Sequence, residues 1–589
     1  MSKRKASPQK DKQVERSAIP VVVALLAVAL AALAAWIAIN TNEVATVQRS
    51  TEYVDDRGTT VPFKLPPVHP LPEEPVDDAD LEKRDQIYEA FRDSWNAYVK
   101  HAWGMDEYHP LSHGGSNLLG PGRGIGYTII DSLDTLIILG DLEGYKRAAD
   151  WVRNVDWSID GRLNVFETTI RILGGLLSAS ALIANPPNKA IPASMADSVM
   201  FKNKADELAE LLMPAFNTRS GIPLREINLA TGEAWPDMDN MNLSSLAEAT
   251  TVQLELKYLA HLTGKQKYWD TAEKPMSHAL RSMRPPNAGI LPIFVSVETG
   301  EFYPMDVRLG SRGDSFYEYL VKQYLQTNRT ETIYREMYSM AFDGIKSKLL
   351  AKSMVGESPL LHTIELIPRL MQGTLAWMRV PKQDHLVCFL GGTMMIAAAA
   401  NSTGALRPPR TRYGSSKALI EDWRVGHEIT RGCVDTYLSA RTGLSPEIAF
   451  FNAANATLDR AWTVKRAQAK GQTPPIDSRN ILRPETVESL YIGYELTGDP
   501  QYREWGWQIF EAFRKHCRTE DGAYAGIDDI DSDTPNKIDR METFWLSETL
   551  KYFYLLFSER HTFPLDQWVF NTEAHPLPAF VPHFDTNVG

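Results

Sequence analysis

Cysteine is scarce. Cys388, Cys433 and Cys517 are the three in a chain of 589 residues. That excludes a fold built on a disulfide framework and permits one bridge and one free thiol. No CxxC pair and no cysteine–histidine cluster with zinc-ligand spacing occurs. Positive charge is also in short supply. Lys and Arg number 62 against 74 Asp and Glu, for a net charge of −12. A nucleic-acid binder needs a basic footprint, so no nucleic-acid partner is expected. Alternating strand patterns are few and short, as in 289–304, and no strict internal repeat is present. The chain therefore does not read as a series of βαβ units.

What is present is ordinary material for a large core: 43% hydrophobic and 23% charged residues. Fourteen Trp and 22 Tyr leave aromatic rings to spare for a ligand cleft. Length alone suggests several domains, although α/α barrels exceed the usual domain size as single units.

Residues 21–39 are an unbroken uncharged apolar run rich in Ala, Val and Leu, about long enough to cross a bilayer as a helix. Before it stand Lys3, Arg4, Lys5, Lys10, Lys12 and Arg16 against only Asp11 and Glu15. The positive-inside rule puts that end in the cytosol and everything after the helix in a lumen. A cleaved signal peptide is the alternative. The run is long for one, and Trp36 and Asn40 make a poor cleavage site. The expected organisation is a cytosolic tail (1–20), a signal anchor (21–39), a stem (40–80) and a luminal domain (81–589). Proline at 62, 66, 67, 70, 72 and 75, with the acidic pairs 55–56, 73–74 and 77–78, favours an extended stem. Sequons at Asn242, Asn328, Asn401 and Asn455 fit a luminal body.

From residue 81 the periodicity is helical. In 81–102, Ile87, Phe91, Trp95 and Tyr98 fall on one stripe. Further helices are expected near 142–154, 167–183, 202–216, 245–262, 314–327, 332–351, 386–400, 417–441, 484–497, 500–516 and 541–557. The segments around 401–416 and 466–480 read as exposed loops.

Several carboxylates sit among aliphatic and aromatic neighbours: Glu167, Glu248, Glu255, Asp314, Glu318, Glu485, Glu488, Glu548 and Glu573. Buried carboxylates must be paired, hydrogen-bonded, metal-bound or protonated. Arg171, Arg312 and Arg483 stand close in sequence to three of them and are candidates to hold them ionised. Singly, each acid reads as a helix cap, an ion pair or a satisfied core group, and Asp314 and Glu488 lie near helix starts. Together, acids, aromatics and arginines suit sugar cleavage, which needs two carboxyl groups across a glycosidic bond and flat surfaces for the rings.

The ordered motifs TIIDSLDTLIILG (128–140), VFETTIRILGGLLSA (165–179), GDSFYEYLVKQYL (313–325), HLVCFLGG (385–392), GLSPE (443–447), LRPETVES (482–489), ETFWLSETLKYFYLLFS (542–558) and FNTEAHPL (570–577) resemble the class I α-1,2-mannosidases, glycoside hydrolase family 47. The resemblance runs from about residue 98 to 576. It implies an all-α fold, an (α/α)7 barrel; the number seven comes from the resemblance alone. It also implies inverting hydrolysis, with Glu167, Asp314 and Glu485 as the catalytic carboxylates, Glu485 as base and either Glu167 or Asp314 as acid. Arg171, Arg312, His385, Arg483, Glu488, Phe544, Glu548 and Glu573 match residues of the substrate cleft, with Phe544 stacking under the sugar.

Thr572 matches the family's Ca2+ ligand, binding through hydroxyl and carbonyl oxygen. Such an ion takes 6–8 oxygens, leaving places for waters and sugar hydroxyls. Cys388 and Cys433 match the family disulfide, and closing so long a loop stabilises by about 4 kcal/mol in the chain-entropy model. Cys517 is expected to be free.

Arg312, two residues before Asp314, matches the endoplasmic-reticulum branch. The implied reaction removes mainly one mannose from the nine-mannose N-glycan, giving the eight-mannose B isomer. The implied partners are high-mannose N-glycans on glycoproteins. The implied setting is the endoplasmic reticulum membrane in type II orientation, with a monomeric catalytic domain; early Golgi residence stays open. A Golgi-type enzyme trimming several residues is the alternative. A non-catalytic glycan receptor is disfavoured because all three carboxylates are present. A degradation-enhancing relative, with its usual C-terminal extension, is disfavoured by the short segment after Pro576.

Overall fold

A computed structural model describes residues 52–54, 60–62, 71–72 and 75–584, except 188–193, 285–287, 354–358, 401–403, 412–413, 452–459 and 466–472. The expected tail, membrane helix and most of the stem, with Asn401 and Asn455, lie outside the described residues. Asn242 and Asn328 are exposed.

Helix α1 (Leu81–Ala102) precedes six helical hairpins: α2 (Leu133–Leu139) with α3 (Leu142–Arg153), α4 (Gly174–Ala184) with α5 (Met195–Leu212), α6 (Gln253–Thr263) with α7 (Gln266–Met283), α8 (Asp314–Gln326) with α9 (Thr332–Lys348), α10 (Phe389–Ala399) with α11 (Lys417–Leu438), and α12 (Glu485–Thr497) with α13 (Pro500–His516). A last helix, α14 (Leu550–Leu556), packs against α1. Among the described residues the even-numbered helices touch in order, α2 to α4 to α6 to α8 to α10 to α12 to α14, and α14 returns to α2. Each odd-numbered helix backs one member of that ring. The fold is therefore a closed barrel of seven inner and seven outer helices, with α1 and α14 as the seventh pair.

The two rings differ in sequence because they differ in surroundings. Inner helices are covered on all sides. Every residue of α10 is buried, which is why the segment is apolar all round. The helical run Val165–Ala184 is long and apolar enough to span a bilayer, yet it is mostly buried as an inner barrel helix. Outer helices are amphipathic: Ile87, Phe91, Trp95 and Tyr98 of α1 are all buried, as their stripe predicts. Turns between hairpin members are tight. Gly140 and Gly498 end α2 and α12 in the left-handed conformation, which suits glycine.

Three features depart from the sequence reading. Helix α7 was not expected, and Pro275 inside it obscures the period. The first inner segment is helical too, in the short helix Tyr127–Asp131 and α2, beyond the helices expected above. A β-hairpin, Glu365–Met371 with Thr374–Val380, stands between α9 and α10.

The chain runs in the same sense along every inner helix, so their N-termini open on one mouth. The opposite end is plugged by an antiparallel hairpin, Trp568–Phe570 with Pro576–Pro578, packed against α4 and α8. At that base the segment entering α1 is fastened. Val76 N–H donates to Gly498 O (2.9 Å) and Asp80 N–H to Phe557 O (3.0 Å). The Arg503 guanidinium donates to the carbonyls of Leu556 (2.7 Å), Ser558 (2.7 Å) and Asp78 (2.9 Å).

Candidate active site

Asp314 and Glu485 are the first residues of α8 and α12. Glu167 lies in the turn opening the α4 segment, where the Asn164 side chain accepts from its N–H (2.9 Å). Glu248 is held by a reciprocal pair with Ser245: its N–H donates to Ser245 Oγ (3.2 Å), and Ser245 Oγ donates back to its carboxylate (3.0 Å). Helix N-termini carry partial positive charge, so the ring concentrates carboxylates at the one end that favours them. Two π-helical turns, Thr168–Leu173 and Trp545–Thr549, interrupt inner helices at this mouth. They carry Arg171 and Glu548, and such turns are frequent at functional sites.

A cavity of about 330 Å3 opens at the mouth, lined by Glu167, Arg171, Arg225, Glu248, Arg312, Asp314, Arg483, Glu485, Phe544, Glu548, Thr572 and Glu573, among others. All three expected catalytic acids thus border one space, together with Thr572. His385 lies just behind Glu485, and Glu488 lies deeper, one turn along α12.

The acids are in different electrostatic situations. Burial alone would raise Glu485, but the His385 hydrogen bond (Nδ1 to Oε2, 2.8 Å) and Arg483 at 4.0 Å outweigh it, and its carboxyl sits below the ordinary range. His385 is itself fixed by Tyr437 OH (2.9 Å) and Thr486 Oγ1 (3.1 Å) at its other nitrogen. Asp314 is pushed up to about 7 by burial, reinforced by Glu318, Glu485 and Asp384 and only partly offset by the Ser315 N–H. Glu167 accepts from Arg171 Nε at 2.9 Å.

Arg171 meets the sequence expectation, and Arg483 meets it in part, standing 4.0 Å from Glu485 while its main partner lies elsewhere; Arg312 does not. Arg312 pairs with Asp237 (3.4 Å) rather than Asp314, and Arg225 shares the same carboxylate (3.0 Å). Arg483 makes a two-point pair with Glu447 (2.8 and 3.0 Å). Sequence reading missed Asp237 and Glu447 because both come from remote loops. Glu447 closes the motif GLSPE, which was the available signal. Phe544 lies between Arg171 and Arg483, whose guanidinium carbons stand 5.9 and 5.6 Å from its ring centre.

The floor of the cavity is the turn of the plugging hairpin. Asn571 shapes it: its Oδ1 accepts from the N–H groups of Glu573 (2.9 Å) and His575 (2.8 Å), and its Nδ2 donates to Ile170 O (2.8 Å) and Glu255 (2.7 Å). Below, His575 bridges Asp131 (3.2 Å) and Asp134 (2.8 Å), and Lys551 donates to Ala574 O (2.7 Å). The turn presents Thr572, whose hydroxyl donates to Glu318 (2.9 Å), and Glu573, which pairs with Arg171.

Glu318 and Glu488 share Lys322, and Glu548 adjoins Glu573. Burial pushes both Glu548 and Glu573 above the ordinary range; Glu573 adds to the rise at Glu548, and Asp131 and Glu167 add to that at Glu573, against the pull of Arg171. Lys322 and Arg171 do not neutralise Glu318, Glu488, Glu548 and Glu573. An all-oxygen set with surplus negative charge suits a hard divalent cation such as Ca2+, and not a soft ion.

Cys388 and Cys433 form a disulfide joining the α10 and α11 segments, and Cys517 is free and buried.

The profile of "Glycosyl hydrolase family 47" matches residues 90–579. A "Mannosyl-oligosaccharide 1,2-alpha-mannosidase" of Candida albicans is 40% identical over 86% of this chain and 84% of its own length. An "Endoplasmic reticulum mannosyl-oligosaccharide 1,2-alpha-mannosidase" of Schizosaccharomyces pombe is 39% identical over 85% and 90%. Among solved structures, an alpha-1,2-mannosidase from Trichoderma reesei superposes with a TM-score of 0.71 at 27% identity, covering 85% of this chain and 100% of that one.

Proposed function

Because the chain belongs to glycosyl hydrolase family 47, we propose the following division of labour for its reaction, the hydrolysis of terminal α-1,2-linked mannose from high-mannose N-glycans with inversion. Glu485 is the general base. It takes the proton of a water that attacks the anomeric carbon from the face opposite the leaving oxygen. Asp314 is the general acid and gives its proton to that oxygen. An inverting pair must flank both the sugar and the water, so the two carboxyl groups stand on different helices across the mouth. The observation that carries this reading is their unequal surroundings: a histidine and an arginine at Glu485, burial among other acids at Asp314. Those surroundings raise Asp314 to about 7, so it holds its proton below that pH, and keep Glu485 below the ordinary carboxylate range. Glu167, paired with Arg171, holds the sugar or relays the proton through a water.

Phe544 packs under the ring of the cleaved mannose. Arg171, Arg225, Arg312 and Arg483 offer guanidinium forks to its hydroxyls and to neighbouring sugars. Thr572 would hold Ca2+, with Glu488, Glu548 and Glu573 holding the waters around it. When bound, the ion supplies oxygen ligation that orients and distorts the sugar ring.

The names of the relatives support work in the endoplasmic reticulum. We extend this to a type II enzyme anchored by 21–39, with a stem over 40–80 and a monomeric luminal domain over 81–589. Arg312 supports release of mainly one mannose to give the eight-mannose B isomer.

The test is an isomer-resolved product profile from the nine-mannose glycan, with and without chelator. Chelator-sensitive accumulation of one eight-mannose isomer is expected. No release at any calcium level refutes the assignment, and progressive trimming refutes the branch. Glu485→Gln is expected to bind glycan while losing about 1,000-fold in kcat, within the usual range for loss of a general base. Near-normal turnover removes Glu485 from that role.

A further inference from the structure

We propose a second metal site, outside the barrel, in which His101, His113 and Asp521 take one borderline divalent transition ion of the Zn2+ class. Among the described residues these three bring one ligand atom each to within 4.8 Å of one another. They come from separate parts of the chain: the last turn of α1, the turn after the strand Glu107–His109, and the loop after α13. His113 Nδ1 and Asp521 Oδ2 are 3.5 Å apart. That is close to the edge of a tetrahedron with metal–ligand bonds of about 2.0–2.1 Å, for which the ligand separation is about 3.4 Å. The His101 and His113 rings lie 4.8 Å apart at 26°. The His113 side chain is about half exposed (48%), which leaves it free to turn the remaining distance toward an ion.

The chemistry of the trio differs from that of the cavity floor. Two imidazoles and one carboxylate favour Zn2+, Co2+ or Ni2+ over Ca2+. The carboxylate is already oriented, as metal-bound carboxylates usually are. Asp521 accepts from the Tyr108 hydroxyl, from Thr519 Oγ1 (2.6 Å) and from Ala523 N–H (3.3 Å). The C-terminal end of α1, with its partial negative charge, adds attraction for a cation. An exposed fourth position remains for water.

An ion here ties the hairpin Glu107–His109 with Gly114–Ser116 to the 519–523 loop. The same hairpin already grips the segment leading to Phe544, through the Tyr108–Met541 bridge and the Leu111 N–H bond to Asp539 (2.7 Å). The site is thus a clasp on the rim of the active-site mouth.

The full-length chain, saturated with calcium, is titrated with Co2+ and then with Zn2+. One equivalent of Co2+ is expected to give intense visible d–d bands. Zn2+ is expected to bleach them and to raise Tm. His113→Ala and Asp521→Asn are each expected to abolish the bands and the Tm rise while glycan turnover with calcium persists. His113 is at the surface, so its variant separates metal loss from misfolding. Absence of the bands in the wild type, or bands and a Tm rise that survive in His113→Ala, overturns the proposal. Neither readout depends on the assignment of the mannosidase acids.

Discussion

Whether a buried carboxyl keeps its proton depends on what stands beside it, and Asp314 and Glu485 differ on that point alone. Glu485 has a histidine and an arginine; Asp314 has a backbone N–H and acidic neighbours. If Asp314 is the acid, kcat/KM falls as pH rises through about 7, because the donating proton is lost. A pH–rate profile checks this, and Asp314→Asn removes turnover at every pH. The same shift has a stability consequence. The folded state binds the proton more tightly than the unfolded chain, whose Asp titrates near 4 (about 3.9). Stability from this group is therefore full below about pH 4 and is lost as pH rises to about 7. Asp314→Asn should consequently raise Tm by a few degrees at pH 8 and change it little at pH 4, as measured by thermal melts.

Asp237 makes a parallel case for a residue that touches no reacting atom. Its carboxylate is fully buried and gathers Arg225 and Arg312 at the mouth. Asp237→Asn should loosen both forks and lower kcat/KM about tenfold, equivalent to about 1.4 kcal/mol. The loss should fall mainly on KM, because binding is weakened while the acid and base stay in place. Steady-state kinetics on the nine-mannose glycan separate the two.

At the scale of elements, the plugging hairpin depends on a close approach by α4. A Cβ on Gly174 would lie 2.6 Å from Asn571 Nδ2 and 3.0 Å from the His575 ring. Gly174→Ala should push the 571–575 turn, costing about 1–3 kcal/mol of stability by overpacking. It should also weaken calcium dependence, since Thr572 and Glu573 ride on that turn. Thermal melts and a calcium titration of activity check both.

Elements also explain what a linear reading sees. Ile87, Phe91, Trp95 and Tyr98 reveal α1 because an outer helix has a wet face and a dry one. The inner helices show as apolar runs with acids among them, which made Glu167, Asp314 and Glu485 visible among nine such carboxylates; the family resemblance singled out the three. Asp237 and Glu447 stayed hidden because a partner acid in a loop has no period to mark it. Arg312 stands next to Asp314 in sequence but pairs with Asp237, near only in space, and Arg483 divides itself between its sequence neighbour Glu485 and the remote Glu447. Pro275 masked α7, since the surrounding ring tolerates a proline that an isolated helix would not.

For the whole molecule, closure matters most. The seventh pair joins α1 to α14, which is distant in sequence, and Arg503 seals the junction by donating to three carbonyls. Arg503→Met would leave those acceptors without their partner, at about 1–3 kcal/mol for each buried one. A clear fall in Tm and faster proteolysis before residue 81 are expected, with kcat unchanged because the mouth lies at the other end.

That junction also sets how mechanical force enters the protein. Any pull on the segment that enters α1 arrives at the carbonyls of Gly498 and Phe557 and at the Arg503 guanidinium, on the sealed floor of the vessel. The load is then shared around a hoop of helices before it reaches the rim. The rim looks away from that point of entry, so a bulky substrate can approach it from the opposite side without its acids shifting register.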